Sequence, residues 1–157
     1  MTAFPQRLPA RRSRRLSLFV ALTLVLASLA PLSAHSASAT DAHGLWLSGD
    51  KAAVIRFAPC VDVSTALCGQ IVWDKDAGTP EDACGVTIAR LSQYSEDAWR
   101  KGWVLDPRTA KHYKGVLRVS GDVLALRGFV GVEILGETEQ MARVQSVPPG
   151  CKQTTSQ

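Results

Sequence analysis

The chain has 157 residues, 46% of them hydrophobic, and a formal charge of +4 that comes from its first residues. Five of the 18 Lys and Arg (Arg7, Arg11, Arg12, Arg14 and Arg15) fall in the first fifteen positions, leaving 13 against 14 Asp and Glu, a balance of −1. Such a remainder has no clustered excess of cations to track phosphates, so no nucleic-acid partner is expected.

The N-terminus has three zones. Residues 1–15 are basic, 16–30 are an uncharged apolar run, and 31–39 (PLSAHSASA) are small and polar. That order is a secretory signal, and Ala37-Ser38-Ala39 fits the small-residue cleavage pattern. Cleavage is expected after Ala39, with Ala34 and Ala37 as alternatives. Fifteen apolar residues fall short of the roughly 20 that span a bilayer, so an uncleaved anchor is not expected. Ser13-Arg14-Arg15 opens a twin-arginine-like pattern, but Ser17 stands where that signal usually carries an apolar residue. General secretion is therefore the expectation, with a periplasmic or secreted product and no membrane span after cleavage. This divides the chain into a signal (1–39), a single domain (40–147) and a polar tail (148–157). The 118 residues after Ala39 suit one modest core.

Brief β-rich runs follow, separated by Gly, Pro, Asp and Ser. Strands are predicted near 44–48, 51–58, 67–73, 86–92, 98–105, 111–119, 123–130 and 133–144. Ser48-Gly49-Asp50 and Ser120-Gly121-Asp122 carry hairpin-turn chemistry. Asp106-Pro107-Arg108-Thr109 starts another turn, with Pro fixing φ at its second position. In 112–119, Tyr113, Gly115, Leu117 and Val119 share one face, opposite His112, Lys114, Val116 and Arg118. In 123–127, Leu124 and Leu126 oppose Ala125 and Arg127. A period of two with one charged face marks a half-buried strand. The one substantial loop is 74–85. An all-β antiparallel meander of this size must protect its edges. Closing into a barrel of about eight strands does so, with a flattened sandwich as the alternative.

All four cysteines (Cys60, Cys68, Cys84 and Cys151) lie beyond the signal. In an oxidising compartment they read as two disulfides, with three pairings allowed. Their spacing lacks the short C-x₂₋₄-C pairs of a zinc site. Cys60 ends one predicted strand and Cys68 begins the next, so they can face each other across a hairpin. Cys84 and Cys151 then form the second bridge and tether the tail.

Gly44-Leu45-Trp46, Pro59-Cys60, Leu67-Cys68-Gly69-Gln70-Ile71-Val72-Trp73, Gly102-Trp103-Val104-Leu105-Asp106-Pro107, Lys111-His112-Tyr113 and Leu126-Arg127-Gly128-Phe129-Val130-Gly131 together resemble a bacterial exported family, domain of unknown function 2147. The resemblance runs from about Gly44 to Val144. It implies a lipocalin-like, or calycin-like, barrel in the cell envelope, and no reaction. Met141 stands where that family often carries Trp.

Candidate chemistry is sparse. His43 lies in the N-terminal tail and His112 on a charged strand face, neither suited to a Ser-His-Asp triad, which needs a buried, oriented imidazole. Asp74, Asp76, Glu81 and Asp82 make an acidic loop without the ligand spacing of a calcium hand. No catalytic residue, metal or cofactor is expected. The candidate binding residues are Trp46, Trp73, Trp103, Tyr113 and Arg127, as the wall of a ligand cup in the barrel mouth. Arg127-Gly128 equally suits a bend or a close backbone approach. The function expected is a non-enzymatic structural or protein-interaction module with an envelope protein as partner. The alternative is a binder of a small apolar ligand or lipid.

Overall fold

The computed structural model describes residues 37–151, so the basic and apolar zones of the signal lie outside the described residues. Eight strands run in chain order: β1 (Gly44–Leu47), β2 (Ala53–Pro59), β3 (Leu67–Asp74), β4 (Thr87–Ser95), β5 (Ala98–Asp106), β6 (Lys111–Ser120), β7 (Val123–Phe129) and β8 (Glu137–Val144). Each pairs antiparallel with the next, and β8 returns to β1, so the sheet is a closed barrel. The seam is short: Leu45 faces Val144, Trp46 faces Arg143 and Leu47 faces Ala142. Closure leaves no free edge, which resolves the edge problem that the sequence poses.

Alternation sets the two faces. Leu117, Leu124, Leu126 and Met141 are buried in one core with Trp46, Ile55, Phe57, Leu67, Leu91 and Trp99. The β6–β7 link is a two-residue hairpin, Gly121-Asp122, with Gly121 at φ 58°. A glycine takes that conformation without a Cβ penalty. β4 runs to Ser95, beyond the predicted 92, and turns through Glu96 and Asp97, at φ 51° and 54°. These left-handed values match the right-handed twist of the flanking strands, so the hairpin forms without the usual Asn-Gly.

The strand predicted at 133–144 is shorter than expected. Residues Glu133–Leu135 form a 3₁₀ turn, and β8 begins at Glu137. Gly131, at φ 76°, reverses the chain there. Arg127 then draws the carbonyls of Glu133 and Ile134 away from any ladder, by hydrogen bonds of 2.8 and 2.9 Å.

Both disulfides pair as the hairpin argument predicts. Cys60–Cys68 has Cα atoms 5.0 Å apart, and Cys84–Cys151 has them 5.6 Å apart. The acidic loop before β4 holds itself together: Asp74 accepts from the amides of Asp76 and Ala83, and Asp82 from those of Gly78 and Cys84.

Candidate functional site

One barrel end is closed by the chain's own N-terminal segment. A 3₁₀ turn, Ala39–Ala42, is held there by side chains from β1, β5 and β8. The Trp46 indole donates to the Ala42 carbonyl at 2.9 Å, and the Trp99 indole to that of Ala39 at 3.0 Å. Arg143 shares the inward parity of Met141. Its guanidinium lies 4.0 Å from the Trp46 ring centroid and donates to the carbonyls of Asp41 and His43. A cation over an indole face, with backbone acceptors for its N–H groups, is a favourable way to bury part of an arginine. Sequence reasoning missed Arg143, because a charged residue near a strand end reads as surface.

The Tyr94 ring packs edge-on against Trp99, 5.7 Å between centroids. Its hydroxyl is buried without a hydrogen-bond partner, and desolvation, with Asp97 and Asp41 nearby, pushes its pKa up. The crevice beside it, lined by Ser38, Ala42 and Leu117, is too narrow to admit water.

The opposite end carries charge. Arg108, on the β5–β6 turn, pairs with Asp50 on the β1–β2 turn. The Ser48 hydroxyl and the Ala52 amide also donate to Asp50, and its carboxyl is held below the usual range, chiefly by Ser48. Asp106 is lowered likewise, chiefly by the Thr109 hydroxyl. Glu139 behaves oppositely. It pairs across from inward-facing Leu126, with the Gly49 amide donating to it at 3.3 Å. Although solvent reaches this residue, the surrounding protein desolvates its carboxyl and raises its pKa, and Asp50 adds to that. A split among neighbouring carboxylates is the pattern that acid–base chemistry exploits, yet neither described concavity opens onto this one.

The raised pKa has a sign. Ionising Glu139 is harder in the folded chain than in the unfolded one, so its contribution to stability is lost as pH rises through and above the ordinary glutamate range. Glu139→Gln should thus stabilise the protein at neutral pH by a few tenths of a kcal/mol, after allowance for solvent screening. The gain should vanish below about pH 4, where both states are protonated. Urea unfolding of both proteins across pH measures it, and a gain that grows towards acid pH would reverse the assignment.

The five predicted binding residues are not gathered into one cup. Trp46 is fully buried, wedged under the N-terminal turn. Trp73 is on the outer wall, where it pairs with outward Val54 and donates to the Pro149 carbonyl of the tail at 3.2 Å. Trp103 is also outside, its ring 5.0 Å from that of His112. Tyr113 faces inward beside Val104 and Gly128, partly buried against the core. Arg127 faces outward and is spent on its own chain, donating to the Glu133 and Ile134 carbonyls and, at 2.6 Å, to the Thr138 hydroxyl.

The roomier concavity, about 470 Å³, therefore lies on the outer wall between Arg118, Ala125, Arg127, Ile134 and Thr138. Glu133 crosses it and binds two cations, Arg118 at 2.7 Å and Arg100 at 3.2 Å. Arg118 first, then Arg100, hold its carboxyl below the usual range. Among the described residues, no group of His, Cys, Asp and Glu side chains could hold a metal, and no helix is long and apolar enough to cross a membrane.

Protein HP1028 from Helicobacter pylori, whose description assigns it to the lipocalin family, superposes with a TM-score of 0.51 at 11% identity, covering 66% of this chain and 83% of that one. At that identity the likeness shows the fold alone: a lipocalin-like barrel. No curated protein matches the sequence. Residues 44–143 match the model of a family described as uncharacterised proteins conserved in bacteria, a span from the start of β1 to the last residue but one of β8. The chain belongs to that family, domain of unknown function 2147.

Proposed function

We propose that this protein is an exported, non-enzymatic barrel that works through its outer surface on a partner in the cell envelope, rather than by carrying a ligand inside. One observation supports this above the rest: the barrel's interior is occupied by its own side chains. Trp46, Phe57, Leu67, Leu91, Leu117 and Leu124 are each no more than 1% exposed and belong to one core cluster, and the N-terminal turn stops one end. A small eight-stranded barrel has room for side chains or one ligand, not both. Native mass spectrometry of protein from a periplasmic extract tests the reading. The expected mass is that of the processed chain with both disulfides formed. A stoichiometric bound small molecule would overturn it in favour of the apolar-ligand alternative.

Export itself carries a sharper expectation. Two disulfides suit an oxidising compartment. What favours processing after Ala34 or Ala37, rather than after Ala39, is the bonding of the turn. The Ser38 amide and hydroxyl both donate to the Asp41 carboxylate, the Ser38 carbonyl accepts from the Asp41 amide, and the Ala39 carbonyl accepts from Trp99. A cut after Ala39 removes all four. N-terminal sequencing of exported protein should begin at His35 or Ser38, and a start at Thr40 would refute the argument.

A further inference from the structure

We propose that the β7–β8 loop and the outer wall beside it dock this protein on an anionic phospholipid surface. The inference deepens the outer-surface reading above and rests on it for the compartment. The loop, residues 130–136, has an unusual composition for an exposed segment. Val130, Val132, Ile134 and Leu135 are 74%, 57%, 82% and 77% exposed. Four large aliphatics on one short loop form a cluster, not the scattered single exposures that any surface has. Nothing in the barrel's packing needs them, because none belongs to the core cluster.

The surroundings say what would cover them. Trp103, Lys114 and Phe129 stand in register on β5, β6 and β7. All three face outward, since their neighbours Val104, Gly115 and Gly128 pack against one another inside. This is an aromatic–cation–aromatic row leading into the aliphatic loop. Among the described residues, Lys114 Nζ bonds only to the Gly131 carbonyl, at 3.5 Å, and Arg127 bonds to carbonyls and a hydroxyl but to no carboxylate. Both cations thus keep their charge unneutralised. The loop's one acid, Glu133, is already matched by two arginines. Glu137 shares the inward parity of Glu139 and turns away from this wall.

Aliphatic tips, flanking indole and phenyl rings, and uncompensated cations at the base are the chemistry of the membrane interface. The tips enter the acyl boundary, the rings lie at headgroup level and the cations meet anionic headgroups. A protein partner would use the aliphatics as well, but it would not by itself require the unpaired cations. The near-neutral total charge conceals this arrangement, because placement rather than sum decides it.

Co-sedimentation of the processed protein with vesicles tests the proposal. Binding is expected to vesicles of phosphatidylcholine mixed with phosphatidylglycerol, to be much weaker to phosphatidylcholine alone, and to fall with added salt. Ile134→Glu with Leu135→Glu should reduce partitioning roughly tenfold or more, from the loss of two inserted aliphatics. Lys114→Gln should reduce it about fivefold, the worth of one basic residue near an anionic surface. Val61→Glu is the control: Val61 is 108% exposed, but it lies on the β2–β3 loop at the opposite end. It should change nothing. Unchanged unfolding midpoints would show that all the variants fold. No binding to the anionic vesicles would overturn the proposal, and so would equal binding by the loop variant. A wild-type dimer that the loop variant makes monomeric, with vesicles unbound, would assign the face to self-association instead. None of these failures touches the filled barrel, which the mass measurement tests separately.

Discussion

Trp46→Ala should cost about 3–5 kcal/mol, the range for truncating a large buried aromatic. Three losses coincide there. The indole is 0% exposed, so its removal leaves a void in the core. Its N–H no longer satisfies the carbonyl of Ala42, itself 1% exposed. The Arg143 guanidinium loses the ring it lies against, while its bonds to Asp41 and His43 still hold it in place. Domains of this size are stable by about 5–15 kcal/mol, so the variant would lose a large share of its stability. Trp46→Phe should cost less, since it keeps a ring under the arginine and loses mainly the hydrogen bond. Urea unfolding of the three proteins gives the ranking. The test also bears on function, because the space vacated is close to the size of free indole, whose N–H could again donate to Ala42 and whose ring could again lie under Arg143. Added indole should recover part of the lost stability of Trp46→Ala, as apolar cavities admit matching ligands. A cost under about 1 kcal/mol would mean that this end is loosely packed, and the filled-barrel reading would fail with it.

The two faces of the barrel show how far pattern alone reaches. In β6 the alternation of Tyr113, Gly115, Leu117 and Val119 against His112, Lys114, Val116 and Arg118 locates inside and outside, because that stretch of strand is regular, although Val116, paired with outward Arg127, is only 4% exposed. The tryptophans defeat the same rule. Trp99 and Trp103 are four residues apart and would share a face in a regular strand. Yet Trp99 pairs with inward Leu117 and Trp103 with outward Lys114. The β5 strand holds one residue more than its partner over that interval, and Lys101 within it sits at φ 55°. A bulge thus flips parity between them. Nothing in Trp99-Arg100-Lys101-Gly102-Trp103 announces it except Gly102, where an added Cβ would lie 1.8 Å from the Arg90 carbonyl oxygen. A second irregularity between Val54 and Ile55 does the same beside Trp73. Two bulges thus turn Trp73 and Trp103 outward, whereas Arg127 stands on the outer face by its plain alternation with Leu124 and Leu126. The 3₁₀ turn at Glu133–Leu135 was hidden differently. Its aliphatic residues have strand propensity, and the bonds of Arg127 to its carbonyls, with the ion pairs of Glu133 to Arg118 and Arg100, override it.

Removing the Cys84–Cys151 bridge should destabilise the protein more than removing Cys60–Cys68. In the chain-entropy model a disulfide acts by shrinking the unfolded ensemble, more so for a longer loop. The two separations are 67 and 8 residues, which correspond to about 4 and about 2.5 kcal/mol. Cys84→Ser with Cys151→Ser should therefore lower stability by about 4 kcal/mol at most, and the short-loop pair by less. The native contacts push in the same direction. The long bridge joins the tail after β8 to the loop before β4, past β1 and β2 in the barrel order. It holds Pro149 and Gly150 against Trp73, so closely that a Cβ on Gly150 would lie 2.9 Å from the indole. It thereby braces the β1–β8 seam, which has three residue pairs against seven between β6 and β7. Cutting it should speed amide exchange at Leu45–Leu47 and Ala142–Val144 before the rest of the sheet. Cutting Cys60–Cys68 should loosen only the β2–β3 turn, where the Cys60 amide still donates to Ala66. Urea titrations of the two double variants, with exchange measured by mass spectrometry, separate these outcomes. If the short-loop variant proves the less stable, then either the unfolded chain keeps structure across β4 to β8 or the tail contacts are unfavourable once tethered. Exchange at the seam distinguishes the two, because only unfavourable tail contacts would leave it slow after the long bridge is cut.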